Sequence, residues 1–155
     1  GNFLRVGILL YGVSPIQGIS FPLQPALSVK TRIIQVKPVK KNEGVSYGHT
    51  WKAKRNSVIA IVPIGYSDGY PRVLSNRGKM VVEGKIAPIV GRVTMDYTLL
   101  DITEIPQAKR GSEVVVLGDG VSAWEVAQDA GTIPYEILSS LGSRVPRIIF
   151  PAESR

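Results

Sequence analysis

Residues Lys79–Val93 read KMVVEGKIAPIVGRV. Two short runs rich in β-branched residues flank Glu83-Gly84-Lys85, which has the character of a hairpin tip. The same pattern recurs on both sides. SVIAIVPIG (57–65), YTLLDI (97–102) and SEVVVLG (112–118) are short, β-branched and separated by Gly, Pro, Asn or Asp. Upstream, LSVKTRIIQV (27–36) alternates: Leu27, Val29, Thr31 and Ile33 face one way, Ser28, Lys30 and Arg32 the other. The phase slips at Ile33-Ile34, which calls for a bulge or a bend. Many short strands with frequent turns point to a mainly β chain, a small Greek-key-like β-barrel with two short helices near the C-terminus.

Those helices carry their own start and stop signals. SAWEVAQDAG (122–131) has Ser122 as N-cap, Glu125 three residues on and Gly131 as terminator, with Trp124 and Ala127 on its inner face. PYEILSSLG (134–142) starts on Pro134 and stops at Gly142, with Ile137, Leu138 and Leu141 as its apolar stripe. VPRIIF (145–150) reads as a closing strand. At the other end, Leu4–Tyr11 is an apolar run apart from Arg5 and Gly7, of the kind buried in parallel sheets. It ends at YGVSP, and Ser14 to Pro25 reads as a linker. The first strand therefore looks foreign to the β-rich remainder of the chain. We divide the chain at 1–14 and 15–155.

Composition narrows the function. The 155 residues are 44% hydrophobic and 20% charged, enough for a real core. With no cysteine and one histidine, His49, neither a disulfide framework nor a Cys/His zinc site can be built. Cysteine absence suits the reducing cytoplasm. No apolar run approaches the ~20 residues of a membrane span, and the N-terminal run lacks a signal-peptide pattern. A net charge of +7 fits nucleic acid, an anionic small molecule or a plain soluble surface. No phosphate loop and no nucleophile elbow is present. What remains is a set of loop tyrosines and arginines: Tyr47 in GVSYGHTW, Tyr66 and Arg72 in GYSDGYPR, Arg92, Met95 and Asp96 in VGRVTMDY, and Tyr135 in TIPYE. Singly, each reads as a core tyrosine with one wet end, or as a turn residue.

Taken in order, LRVGI, YGVSP, KTRIIQVK, GVSYGHTW, IVPIGYSDGYPR, PIVGRVTMD, GTIPYE and RVPRI resemble the alanine racemase family over about Leu4 to Ile149. The resemblance covers that enzyme's C-terminal part. It implies the last strand of an α/β barrel followed by the β domain, with pyridoxal phosphate as cofactor. By that resemblance Tyr47 is one of two acid/base groups, working on one face of the substrate α-carbon while a barrel lysine works on the other. A phenol titrates near ~10, so a positive neighbour must assist it; His49 is one candidate.

Arg5 is similarly implied to face the cofactor's ring nitrogen. Gly7 and Ile8 would hold its phosphate by backbone amides, with Tyr135 adding a hydrogen bond. Met95 would meet the substrate carboxylate through its N–H. Tyr66, Arg72 and Arg92 would line the entry path, with Asp96 supporting that loop. Thr94 departs from the cysteine that relatives often carry. The resemblance further implies a head-to-tail homodimer, in which Tyr47 and Met95 serve the neighbouring subunit's cofactor.

The expected partners are the chain's own N-terminal barrel, a second subunit and a small amino acid, with no nucleic acid and no membrane. No lysine here has the context of a cofactor lysine, so this chain alone is expected to be inactive. Serine, or a broader set of amino acids, is an alternative substrate. A rival of another class is a basic RNA-binding β-barrel, motivated by Lys37, Lys40, Lys41, Lys52, Lys54 and Arg55.

Overall fold

The computed structural model describes residues 1–18 and 22–150. Part of the expected linker, residues 19–21, lies outside them. The described residues form nine strands: β1 (Val29–Arg32), β2 (Gln35–Val39), β3 (Gly44–Val45), β4 (Trp51–Lys52), β5 (Ser57–Val62), β6 (Lys79–Val82), β7 (Lys85–Pro88), β8 (Thr98–Asp101) and β9 (Glu113–Leu117). Two helices come after them, α1 (Ala123–Ala130) and α2 (Pro134–Ser140). The chain is mainly β with two helices near the C-terminus, as its turn-rich sequence requires.

The hairpin that frames the fold is β6–β7, antiparallel with Val82 opposite Lys85. Glu83 (φ 49°) and Gly84 (φ 72°) make its two-residue tip, both left-handed, and this geometry matches the twist of the flanking strands. β6 also pairs with β9, and β9 with β1, giving a sheet of order β1-β9-β6-β7. A second sheet runs β2-β5-β8, and β3-β4 is a small separate hairpin. The chain changes sheets at Ile33-Ile34, where the alternation slips. Ile33 is buried, while Ile34 is turned outward and its N–H donates to Ile61 O at 2.9 Å.

The sheets do not close into a barrel. Between β7 and β8 the only ladder element among the described residues is the bridge Ile89–Leu100. Pro88 offers no N–H there, and Gly91 (φ 74°) turns the backbone away from extended form. The two larger sheets share a core that includes Val62, Met80, Val82, Leu100, Ile102 and Val114, capped by Val126, Ala127 and Ile137 of the helices.

Helix α1 forms as its sequence directs. Ser122 Oγ accepts from Glu125 N and Glu125 returns the bond to Ser122 N, a reciprocal cap, and Gly131 ends the helix at φ 71°. Ala127 is fully buried. Trp124 is half-buried, its indole N–H donating to Ser14 O at 2.9 Å.

Glu125 also meets Lys79 Nζ at 2.8 Å. The lysine hydrogen bond, with Ser122 second, holds the Glu125 carboxyl below its usual range and lifts Lys79 above its own. A depressed carboxyl stabilises the fold above its unfolded value, ~4.3, and that share is lost as pH falls through the lower folded value. The lysine share is present below ~10.4 and lost as pH rises through the raised value. Glu125→Gln should therefore lower stability by about 0.5 kcal/mol at neutral pH, both side chains being partly in water. The gap in urea midpoint should close steadily below ~pH 4.

Both ends of the chain depart from the expected strands. Leu4–Tyr11 is not extended: Gly7–Tyr11 forms a 3₁₀ turn that starts on Gly7 at φ 59° and closes on Gly12 at φ 70°. A buried strand needs ladders on both sides, and among the described residues none borders this segment, so Phe3, Leu4 and Leu10 stand in solvent. VPRIIF likewise forms no strand. Pro146 lacks an N–H, nothing among the described residues pairs alongside, and Ile148, Ile149 and Phe150 are exposed.

Candidate active site

Tyr47, Tyr66, Arg72, Arg92, Met95 and Asp96 fall on loops and turns between the strands. Tyr47 heads a 3₁₀ turn, Tyr47–His49, at the tip of β3–β4. The backbone around it is tightly specified. Ser46, Gly48 and His49 all have positive φ (60°, 70° and 44°). Ser46, at φ 60° and ψ 179°, occupies a region that residues with side chains rarely enter. Its hydroxyl donates to Arg92 O at 2.8 Å, and its Cβ fits because position 91 is glycine, where an added Cβ would sit 2.6 Å away. The His49 ring lies on Gly44, which has room for it only without a Cβ. It therefore packs the hairpin.

Tyr47 itself is 73% exposed. Tyr70 is the contrasting case: 4% exposed, its hydroxyl has no partner among the described residues. Burial, with Asp129 adding to it, pushes that phenol well above the usual tyrosine range. Tyr70 is a core tyrosine; Tyr47 is displayed.

Two further loops are bonded to each other. Gly65 approaches the 94–95 backbone so closely that a Cβ would lie 2.3 Å from both the Thr94 and Met95 carbonyl oxygens. That approach lets Tyr66 N donate to Thr94 O and Ser67 N to Met95 O, each at 3.0 Å. Ser67 Oγ adds a bond to Met95 O at 2.6 Å. The Met95 carbonyl is thus doubly used, while its N–H donates to nothing among the described residues. Asp68 closes the Gly65 turn by accepting its N–H at 2.9 Å.

The structure brings together Tyr66, Met95 and Asp96 by these bonds. Arg72 and Arg92 line one recess of about 400 Å³ with Thr50, Ser75 and Asn76. Tyr47 lines a neighbouring cleft of about 370 Å³ with Ser46, Thr94, Tyr97, Ile61 and Leu99. Arg92 links the two: its carbonyl holds Ser46, and its guanidinium lies over Gly48. Thr94 shapes the loop, its Oγ1 accepting from Tyr97 N and donating to Tyr97 O, both at 3.0 Å.

The other set stays apart. No hydrogen bond or ion pair among the described residues joins Arg5, Gly7 or Ile8 to Tyr135 or to the Tyr47 group. Arg5 is exposed, the Ile8 side chain is buried and Tyr135 is half-exposed on the first turn of α2.

Sequence reading alone overlooked Ser46, Asn76 and Arg144. Asn76, left-handed at φ 58°, accepts from Gly91 N at 2.6 Å and donates to Thr50 Oγ1 at 3.1 Å, so it ties the Tyr47 hairpin to the Arg92 loop. An asparagine beside Arg77-Gly78 was the available signal. Arg144 contacts Ser67, Asp68 and Asp96, and nothing local marked it.

Residues 26–149 match the family model described as alanine racemase, C-terminal domain. Among curated relatives, the alanine racemase of Sorangium cellulosum is 46% identical over 154 residues, 94% of this chain and 41% of the relative. The chain thus spans about two fifths of the length of the relatives it matches. Among solved structures, biosynthetic alanine racemase from Pseudomonas aeruginosa superposes with a TM-score of 0.88 at 41% identity, over 92% of this chain and 40% of that one. Alanine racemase from Bartonella henselae with covalently bound pyridoxal phosphate gives 0.88 at 38% identity, with the same coverage. Sequence match and superposition agree: this chain belongs to the alanine racemase C-terminal domain family.

Proposed function

We propose that this chain is the C-terminal part of a pyridoxal-phosphate-dependent alanine racemase, and that Tyr47 is its acid/base. The observation that carries the reading is a displayed phenol on an immobilised loop. Tyr47 is 73% exposed, yet three left-handed residues and the Ser46–Arg92 bond fix its backbone. Holding a side chain outward in this way suits a group that works on something this chain does not contain. The free Met95 N–H suits a carboxylate oxygen, and Arg72 and Arg92 place positive charge in the recess next to the Tyr47 cleft.

Racemisation removes a proton from one face of the α-carbon and returns one to the other. Tyr47 would deliver or accept the proton on its own face, and Arg92 beside Gly48 supplies positive charge near it. Tyr66, Met95 and Asp96 would orient the amino acid.

The residues present fit one side of the cofactor. Arg5 is an exposed guanidinium, a donor only, which suits a ring-nitrogen lone pair. The half-exposed Tyr135 hydroxyl suits a phosphate oxygen. When bound, pyridoxal phosphate supplies the electron sink that lets the α-proton leave. No lysine here fits the covalent attachment: Lys79, the most enclosed in an ion pair, is held protonated by Glu125. The attaching lysine would come from an N-terminal barrel, to whose end we assign residues 1–14. That barrel gives the exposed Phe3, Leu4 and Leu10 a place to be buried. A head-to-tail dimer would bring Tyr47 and Met95 to the neighbouring subunit's cofactor, in the cytoplasm. Among the described residues no helix is long and apolar enough to cross a membrane.

The test is racemisation by the full-length subunit supplied with pyridoxal phosphate, on L-alanine and L-serine in parallel. We expect alanine to turn over faster. Failure to interconvert alanine would overturn the proposal, and serine outpacing alanine would correct its substrate.

A further inference from the structure

The Arg144 guanidinium spends all three of its nitrogens on one junction. Nη1 donates to Ser67 Oγ at 2.6 Å, Nη2 reaches Asp96 Oδ1 at 2.9 Å, and Nε lies 3.5 Å from Asp68 Oδ1. These three acceptors sit on two different loops. Ser67 and Asp68 belong to the turn carrying Tyr66; Asp96 comes directly after Met95. Asp68 is nearly buried, and its second oxygen is taken by Gly65 N. Ser67 Oγ in turn donates to Met95 O at 2.6 Å. Arg144 itself is anchored beyond α2, where Gly142 N donates to Asp68 O at 3.1 Å.

We infer that Arg144 is a positioning residue, which locks the Tyr66 turn and the Met95–Asp96 loop into one unit and so sets where the substrate's carboxylate is met. The inference rests on the role proposed above for Tyr66 and Met95. The chemistry singles out arginine. A planar fork can engage a hydroxyl and two carboxylates on separate edges at once, whereas an ammonium is a point charge that bridges them poorly. Both loops keep their mutual backbone bonds without Arg144, so its loss should misplace the unit by a fraction of an ångström, not unfold it. Small misplacements away from the reacting atoms are known to cost up to ~100-fold in rate.

The experiment is steady-state racemisation by the full-length enzyme carrying Arg144→Lys or Arg144→Ala, with Tyr66→Phe alongside. Arg144→Lys keeps the positive charge that Asp68 needs, so it stays informative if the alanine variant folds poorly. We expect Arg144→Lys to raise KM for alanine about tenfold with kcat within about threefold, the mark of a weakened carboxylate contact made equally in ground and transition state. Millimolar methylguanidinium should restore part of the loss in Arg144→Ala. Pairing Arg144→Lys with Asp96→Asn should give no larger KM than the greater of the two single variants, because they act as one unit. A wild-type KM in folded Arg144→Lys, or additive effects in the double variant, would overturn the inference. If Tyr66→Phe raises KM while Arg144→Lys does not, only the Arg144 role falls. If neither moves it, the proposed placement of the substrate by these loops falls with it.

Discussion

If the full-length protein racemises alanine as proposed, Tyr47→Phe is expected to slow α-proton removal from one enantiomer by about 10²–10⁴-fold and to leave the other within a few-fold. The measurement is incorporation of solvent deuterium into L- and D-alanine, followed separately by NMR. The asymmetry comes from geometry. In the proposed role a single phenol would reach one face of the α-carbon, so deleting its hydroxyl would silence exchange on that face. The opposite face would depend on the base proposed for the N-terminal barrel. Structural side effects should be small. The ring is retained, the side chain is largely in solvent, and the turn is held by backbone conformation and by Ser46, not by the phenol oxygen. Thermal midpoints of the two proteins should therefore agree closely. Equal loss of exchange from both enantiomers would remove Tyr47 from its one-face role.

A large effect on stability should come from Gly65→Ala. The new methyl group would stand 2.3 Å from two backbone oxygens, those of Thr94 and Met95. Neither is a flexible side-chain tip, so the loops must part. Parting them stretches the Tyr66–Thr94 and Ser67–Met95 bonds. We expect a loss of about 2–4 kcal/mol in urea unfolding. Strain in φ has no share in this, because Gly65 is extended at φ −149°. Gly84→Ala is the matching control: its φ of 72° is left-handed, but nothing lies within 4 Å of the added methyl. That change should cost about 1 kcal/mol. Equal costs at the two positions would refute the steric account. In the full-length enzyme Gly65→Ala should also raise KM for alanine, since it disturbs the same loop pair that Arg144 ties.

Strand content and both helices were legible from local pattern. The hairpin at Glu83-Gly84 and the caps of α1 depend on a few neighbouring residues, and those residues state their own conformation. Alternation in 27–33 reports which face is buried, and its slip at Ile33-Ile34 marks the change of sheet. Closure of the sheets was not legible. Whether β7 and β8 zip together depends on Pro88 and Gly91 meeting a strand ten residues further on, which periodicity does not encode. The two ends misled for a related reason. Apolar runs at 4–11 and 145–150 record burial without saying against what, and among the described residues they have no ladder to join. In the candidate site, Tyr47, Tyr66 and Met95 were singled out through motif resemblance. Arg144 and Asn76 were not, because their work lies in long-range bonds to Asp96 and Gly91.

Ser46 has a further consequence for how such a domain changes under selection. Its backbone geometry is one that glycine adopts freely and serine at a cost of about 1–3 kcal/mol. Selection for heat tolerance alone would favour glycine there, in a single substitution. The same change would delete the hydroxyl tether to Arg92 and free the hinge of the Tyr47 turn. Durability and turnover thus pull this position in opposite directions. A domain that retains serine here is keeping its tyrosine aimed at the expense of its own melting temperature.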